Sequence, residues 1–139
     1  MLIRPFQSSD EAHVIDLWQR CNLVVPHNDP RRDIARKLAV QPELFLLAVD
    51  ADAIIGSVMV GYEGHRGWIN YLAVDPARRF QGIGRALMQA AEERLLARGC
   101  PKINLQVRTT NQAVLDFYRA LGYRVDDVVS MGKRLIADT

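Results

Sequence analysis

The spacing of apolar positions in the first 40 residues predicts one strand followed by two helices. Residues 2–6 have the pattern of a short strand. Ser8, Ser9 and Asp10 offer N-cap chemistry ahead of apolar residues at helical spacing, which predicts a first helix. Prolines and the Asn28-Asp29 pair then interrupt the pattern, and a second, shorter helix is predicted for 33–40. The chain is therefore expected to begin as strand, helix, loop and helix.

The middle of the chain has the pattern of three consecutive strands. Residues 45–49 and 54–62 are rich in Val, Ile and Leu, and the turn between them is short enough for an antiparallel hairpin. Residues 68–74 follow another turn and alternate in side-chain type. Asp75-Pro76 ends this segment. A three-strand meander is the economical interpretation.

Helical and strand patterns alternate in the second half. Apolar residues keep the 3.6-residue period over 82–98, and Gly99 stands where a C-cap glycine belongs. A strand is predicted for 103–107, a helix for 111–121 closed by Gly122, and one or two last strands for 123–136. The long helix joins the strand ending at Val74 to the strand starting at Ile103, as parallel neighbours require. We expect a single α/β (α+β mixed) domain over 1–139 with a mixed, mostly antiparallel sheet.

Composition narrows the functional classes. Hydrophobic residues make up 49% of the 139 residues and charged residues 24%, as in globular domains. A net charge of +2 is too small to indicate a nucleic-acid partner, so we expect none. No apolar stretch approaches the ~20 residues that cross a bilayer. We therefore expect no membrane partner and a cytoplasmic protein. The two cysteines lie far apart in the sequence and the three histidines are scattered, so no disulfide or metal site is predicted.

The segment 74–85 links a strand end to a helix start through two glycines and three arginines. Glycines allow close backbone approach, and the amides of a first helical turn point outward as donors to an anion. The segment lacks the third glycine of the dinucleotide fingerprint, and no Gly-Lys-Ser/Thr follows for a Walker loop. A pyrophosphate site is predicted, and glycines that only tighten a turn are the alternative.

Arg79-x-x-Gly82-x-Gly84, after a strand ending in Leu72-Ala73-Val74, resembles the acetyl-CoA signature of the GNAT acetyltransferases. Asn111 and Tyr118 match the family's second hallmark, an Asn after the next strand followed by a Tyr one helix later. Segments 56–67 and 98–102 also resemble the YpeA-like branch of this family. The resemblance covers almost the whole chain.

This resemblance implies a GNAT-like acyl-CoA N-acyltransferase fold, whose central parallel strands splay apart, and an acetyl-CoA cosubstrate. The backbone of the signature strand would pair with the pantetheine arm, and the amides of the loop would hold the pyrophosphate. Asn111 would hydrogen-bond the arm, with N-cap duty for its own helix as the alternative. The implied cofactor-binding residues are Leu72, Ala73, Val74, Arg79, Phe80, Gln81, Gly82, Ile83, Gly84, Arg85 and Asn111.

The implied reaction is direct acetyl transfer to a primary amine of a peptide or small molecule in a ternary complex, because we expect no cysteine near the motif to carry an acyl intermediate. Tyr118 would be the general acid to the CoA thiolate, with a core tyrosine as the alternative. Gln106 stands where some relatives carry a basic Glu, and Gln accepts no proton. Glu63 is the favoured base, with His65, Tyr71 or a water as alternatives. A non-catalytic CoA sensor is the competing class, and homodimerisation stays open.

Overall fold

The computed structural model describes residues 1–138, which form a five-stranded mixed sheet with flanking helices. Two compact units are distinguished: Met1–Leu105 together with Asp138, and Gln106–Ala137. Among the described residues, no helix is long and apolar enough to span a membrane. The elements are β1 (Leu2–Pro5), α1 (Glu11–Arg20), α2 (Pro30–Leu38), β2 (Phe45–Asp50), β3 (Ala53–Tyr62), β4 (Gly67–Val74), α3 (Ile83–Ala97), β5 (Ile103–Leu105) and α4 (Gln112–Ala120).

The sheet of the first unit has the strand order β1-β2-β3-β4-β5. The first four strands are antiparallel, which confirms the predicted meander, and β4 pairs with β5 in parallel, as the crossover through α3 predicts. The parallel pairing ends at Ile69 opposite Leu105, although β4 continues to Val74. The second half of β4 therefore has no β5 partner on that edge, and this agrees with the splay that the resemblance implies.

Apolar residues cover both faces of this sheet. On one face, Val14, Leu17 and Trp18 of α1 and Ile34 of α2 pack against β2 in a single buried cluster. On the other face, α3 lies so close that a Cβ at Gly56 would come within 2.9 Å of Leu87 Cδ1 and 3.1 Å of the Ala73 carbonyl oxygen. Real Cβ contacts are longer than this, so α3 packs against β3 at Gly56 too closely to admit a side chain there.

The second helix begins earlier than the sequence pattern indicates. It starts at Pro30, where we expected a start at residue 33. The Asp29 side chain caps it by accepting from the backbone N–H groups of Arg31 and Arg32. Proline is well tolerated at the first helical position, because its missing N–H would have no partner there. The Asn28-Asp29-Pro30 cluster is thus a helix start and not only a chain break.

The strands predicted for 123–136 are absent, so that prediction is wrong. In the unit Gln106–Ala137 this stretch has no strand pairing, and Val128, Val129 and Met131 are largely exposed. Strand composition describes residues that fit a half-buried sheet surface and does not supply the partner strand. For the same reason, β5 stops at Leu105 and not at the predicted residue 107.

Asp138 is the one residue after Leu105 that belongs to the first unit among those described. Its carboxylate accepts from Arg36 Nη1 at 2.8 Å and Arg36 Nη2 at 2.9 Å, and its side chain is 1% exposed. These hydrogen bonds to Arg36 lower the pKa of Asp138 to about 2. The pair therefore contributes stability above the ordinary Asp pKa, and loses it as the pH falls towards 2.

We expect Asp138→Asn to lower the melting temperature at pH 7, because the substitution removes the charge that holds Arg36. The difference from the unsubstituted protein should shrink below pH 4, where the unfolded chain binds a proton that the folded carboxylate resists. Melting curves by circular dichroism between pH 2.5 and 8 measure this. Asp52→Asn, in an exposed turn, is the control and should leave the curve unchanged. A pH-independent difference would contradict the prediction.

Candidate active site

The loop between β4 and α3 has the geometry of an anion cradle. Gly82, the N-cap of α3, has φ 79° and ψ 11°, and a Cβ placed there would meet nothing within 4 Å. The first backbone hydrogen bond of the helix runs from Ala86 N–H to the Gly82 carbonyl, and no side chain caps the turn. The amides of Ile83, Gly84 and Arg85 therefore precede the helical hydrogen-bond ladder and are available as donors.

Phe80 occupies the left-handed region with φ 65°, and its side chain is fully exposed. A bulky residue in this conformation costs on the order of 1–2 kcal/mol, and no apolar burial offsets that cost here. Strain of this kind is concentrated at ligand sites. Together, Phe80 and Gly82 bend the chain so that the loop is open to solvent while buried Ile83 anchors the helix start.

The three arginines of this region differ in their partners and in their exposure to solvent. Arg78 donates to Asp50 at 2.7 Å, so this guanidinium supports the hairpin of β2 and β3. Arg79 and Arg85 have exposed side chains on the loop and on the first turn of α3. Gln81 is exposed beside them. The cationic character of the cradle therefore comes from Arg79 and Arg85.

Strand β4 carries a bulge immediately before the signature residues. Val58 of β3 lies opposite both Tyr71 and Leu72, since the register shifts between Ser57 and Met59, and Tyr71 has φ 51°. Beyond the bulge, Asp75 N–H donates to the Ile55 carbonyl at 2.9 Å. Bonding direction alternates along an antiparallel strand, so the polar groups of Val74 point away from β3 while those of Ala73 face it. This register favours Val74 over Ala73 as a partner for a ligand on the open edge.

Cys21 lies beside the signature strand, which corrects the expectation that no cysteine is near the motif. Its thiol donates to the Val74 carbonyl at 3.3 Å, although 53 positions separate the two residues. Burial raises the pKa of Cys21, while the neighbouring Arg79 acts in the opposite direction. A thiolate is the nucleophilic form, so this half-buried thiol with a raised pKa is poorly suited to carry an acyl group.

Trp18, Ser57, Tyr71 and Asp33 form a hydrogen-bonded network that sequence reasoning missed. Trp18 Nε1 donates to Ser57 Oγ at 2.9 Å, and Ser57 Oγ donates to the Tyr71 carbonyl at 2.9 Å. The Tyr71 hydroxyl donates to Asp33 Oδ2 at 2.6 Å. Burial and this bond raise the pKa of Tyr71, so it is poorly suited to be the base. The lone Ser inside the apolar stretch 54–60 was the available signal, because buried polar groups need partners.

The second hallmark lies in the unit Gln106–Ala137. Asn111 is the N-cap of α4, and its Oδ1 accepts from Val114 N–H at 3.3 Å, which leaves the donors of the same amide group for another role. Tyr118 is buried, stacks edge-on against Phe117 and Tyr123, and has its pKa raised to about 12 by burial. Gln106 lies beyond the end of β5 and donates to Ser130 Oγ.

The structure does not bring Glu63 to the signature residues. Glu63 lies in the exposed turn before β4, where its carboxylate accepts from Arg66 N–H at 3.0 Å. Val74 is at the other end of β4, so the length of the strand, about 23 Å at ~3.3 Å per residue, separates them. His65 occupies the same turn. The role of Glu63 as base stays a prediction, and this separation weighs against it.

Sequence and structure comparisons agree with this geometry. The sequence profile of the acetyltransferase (GNAT) family matches residues 12–123. An acetyltransferase of Yersinia enterocolitica is 52% identical over 138 residues, covering 99% of this chain and 98% of that protein. Chaetomium thermophilum Naa20, solved with a bisubstrate analogue, superposes with TM-score 0.74 at 28% identity over 90% of this chain and 72% of its own.

The ribosomal-protein-S18-alanine N-acetyltransferase of Escherichia coli shares the fold as well. Its TM-score is 0.72 at 23% identity, with 87% of this chain and 76% of that chain covered. Three observations lead to one assignment: the anion cradle at the start of α3, the interrupted pairing of β4, and the match of the family profile across both units. The chain belongs to the GNAT family and is an acetyltransferase of the acyltransferase class.

Proposed function

We propose that this acetyltransferase uses acetyl-CoA and transfers the acetyl group directly to a primary amine. The observation that carries the proposal is the continuous run from the open edge of β4 to the uncapped first turn of α3. A ligand that has both an amide-rich arm and a pyrophosphate matches this run, because the strand edge offers main-chain pairing and the helix start offers amide donors. CoA has both parts.

The residues of the first unit fit this cosubstrate. The amides of Ile83, Gly84 and Arg85 would hold the pyrophosphate, and the open space at Gly82 lets it approach the backbone. Arg79 and Arg85 would add positive charge from their exposed positions. The outward-facing N–H of Val74, and the carbonyl lone pair that Cys21 leaves unused, would pair with the pantetheine arm, which binds like an added strand. Leu72 and the amide donors of Asn111 are the further proposed contacts.

Acetyl-CoA supplies the acyl group as a thioester, and the protein supplies orientation and a proton. The amine nitrogen forms a bond to the carbonyl carbon as the carbon–sulfur bond breaks. The Tyr118 hydroxyl would donate a hydrogen bond to the departing sulfur. Burial raises the pKa of Tyr118 to about 12, whereas the pKa of a thiol is about 8.5, so the phenol is the weaker acid of the two. Tyr118 would therefore stabilise the developing thiolate by a hydrogen bond and would keep its own proton.

The amine must lose a proton before or during attack. A lysine-type amine with pKa ≈ 10.4 is mostly protonated at pH 7, whereas an α-amine near 8 is far easier to deprotonate. The described geometry favours a water-mediated route over Glu63, which lies at the wrong end of β4. An acceptor with a low amine pKa, such as a peptide α-amine, is therefore the proposed substrate class. A cytoplasmic location stays a prediction.

Isothermal titration with acetyl-CoA, followed by thiol-release assays with peptide α-amines, polyamines and small amines, tests the proposal. We expect saturable binding and CoA release that depends on a primary amine. Acetylated product identified by mass spectrometry would place the group on nitrogen. Absence of acetyl-CoA binding would refute the cosubstrate, and binding with transfer only to hydroxyl compounds would refute the amine acceptor.

A further inference from the structure

The bulge in β4 determines which residues face the open edge of the strand. Tyr71 is the extra residue there, and it has the left-handed φ of 51°. Side chains and polar backbone groups alternate in direction along a strand, so removing one extra residue would reverse both for every later position. The polar groups of Val74 would then turn towards β3, and those of Ala73 would turn towards the open edge. The site proposed above depends on the bulge being held in place.

The backbone of Tyr71 is held by Ser57. Its carbonyl accepts from Ser57 Oγ at 2.9 Å, which supplies a hydrogen bond at the point where the ladder between β3 and β4 is interrupted. The same Ser57 Oγ accepts from Trp18 Nε1 at 2.9 Å. Ser57 and Trp18 are both fully buried, so no water competes for these two bonds. The hydroxyl of Ser57 therefore uses its donor and an acceptor at once.

The side chain of Tyr71 is held by different groups. Its ring stacks on the Trp18 indole, with centroids 3.9 Å apart and planes 13° apart. Its hydroxyl donates to Asp33 at the first turn of α2. The backbone and the side chain of Tyr71 are thus held by different contacts. Trp18 takes part in both, through its hydrogen bond to Ser57 and through its stacking on the Tyr71 ring.

We propose that Ser57 and Trp18 are positioning residues for acetyl-CoA: they hold the Tyr71 bulge and thereby direct the main chain of Val74 to the pantetheine arm. Neither residue touches the ligand. The proposal rests on the proposed function, because it assumes that the arm pairs with the open edge of β4. It also distinguishes the two halves of the cosubstrate, since these hydrogen bonds lead to Tyr71 and not to the loop at Gly82 that would hold the pyrophosphate.

The test measures binding of two ligands to Ser57→Ala. The variant loses both hydrogen bonds of the Ser57 hydroxyl, and we expect the Kd for acetyl-CoA to rise by about 10-fold because the bond to the Tyr71 carbonyl no longer holds the bulge. The Kd for adenosine 3′,5′-bisphosphate, a fragment without the pantetheine arm, should change less than about twofold. Ser57→Thr keeps a hydroxyl and should restore most of the acetyl-CoA affinity. Leu95→Ala, in the buried face of α3, is the destabilised control and should leave both constants unchanged.

Three outcomes would overturn the proposal. They are unchanged acetyl-CoA affinity in Ser57→Ala, equal weakening of both ligands, and equal weakening by Leu95→Ala at a matched loss of melting temperature. If Ser57→Ala does not fold, Trp18→Phe replaces it, because phenylalanine keeps an aromatic ring against Tyr71 but lacks the Nε1 donor. Failure of the unsubstituted protein to bind acetyl-CoA would instead refute the proposed function, so the two failures are distinguishable.

Discussion

Tyr118→Phe should lower kcat by about 100-fold and leave the KM for acetyl-CoA within about twofold. The phenyl ring keeps the edge-on contacts with Phe117 and Tyr123, so the fold of α4 should be preserved. The change removes one hydroxyl donor to a charge that develops only as the thioester breaks. Loss of one such donor elsewhere costs about 10²–10³ in rate.

The pH dependence of kcat is a second test of the role of Tyr118. Burial raises the pKa of Tyr118 to about 12, so its hydroxyl keeps its proton throughout the range in which the protein can be assayed. We expect no alkaline fall in kcat near pH 10, where an exposed tyrosine would ionise. Tyr62→Phe, which removes an exposed hydroxyl that donates to the Gly64 carbonyl, is the matched control and should retain full turnover. Normal turnover by Tyr118→Phe with every accepted amine would remove Tyr118 from the mechanism.

Gly82→Asp should weaken acetyl-CoA binding by at least ~100-fold. The substitution puts a carboxylate at the cradle where the pyrophosphate would lie. Two like charges about 5 Å apart at an effective dielectric constant near 20 repel by about 3 kcal/mol, which corresponds to ~100-fold in affinity. The side chain has space, since nothing lies within 4 Å of the Cβ position. Isothermal titration gives the two dissociation constants directly.

Gly82→Asn separates the charge effect from the backbone effect. Asn has nearly the same shape as Asp and tolerates the φ of 79° better than most residues, but it is neutral. We expect Gly82→Asn to weaken acetyl-CoA binding much less than Gly82→Asp. Equal weakening by both variants would show that shape, and not charge, excludes the ligand. Unchanged affinity in Gly82→Asp would refute the placement of the pyrophosphate.

The sequence predicted those parts of the fold in which periodicity and end signals agree. Helix α3 has apolar residues at a regular period and Gly99, with φ 80°, just beyond its last turn, so its bounds were predicted within one residue. The hairpin of β2 and β3 was predicted equally well, because a short turn separates two apolar stretches. In both cases the information is local. The tail 123–136 had strand composition without a partner, and there the local pattern failed.

Contacts between distant positions limited what could be predicted of the site. The glycines, the arginines and the loop formed one motif, and the structure places them on one strand–loop–helix run. Cys21 beside Val74 and Trp18 beside Ser57 join residues 53 and 39 positions apart, and no periodicity carries that information. The left-handed Tyr71 was equally hidden, because glycine and asparagine, and not tyrosine, mark such a position.

The close approach at Gly56 fixes the distance between the two halves of the proposed cosubstrate site, the open edge of β4 and the start of α3. A Cβ there would press against Leu87 of α3 and the Ala73 carbonyl of β4 together, so the Leu87 side chain packs directly against the backbone of β3. Packed interiors have low compressibility, and the start of α3 therefore keeps a constant distance from the open edge of β4. A ligand must span that distance to bind at both ends, so the fold selects its cosubstrate partly by the reach of its arm.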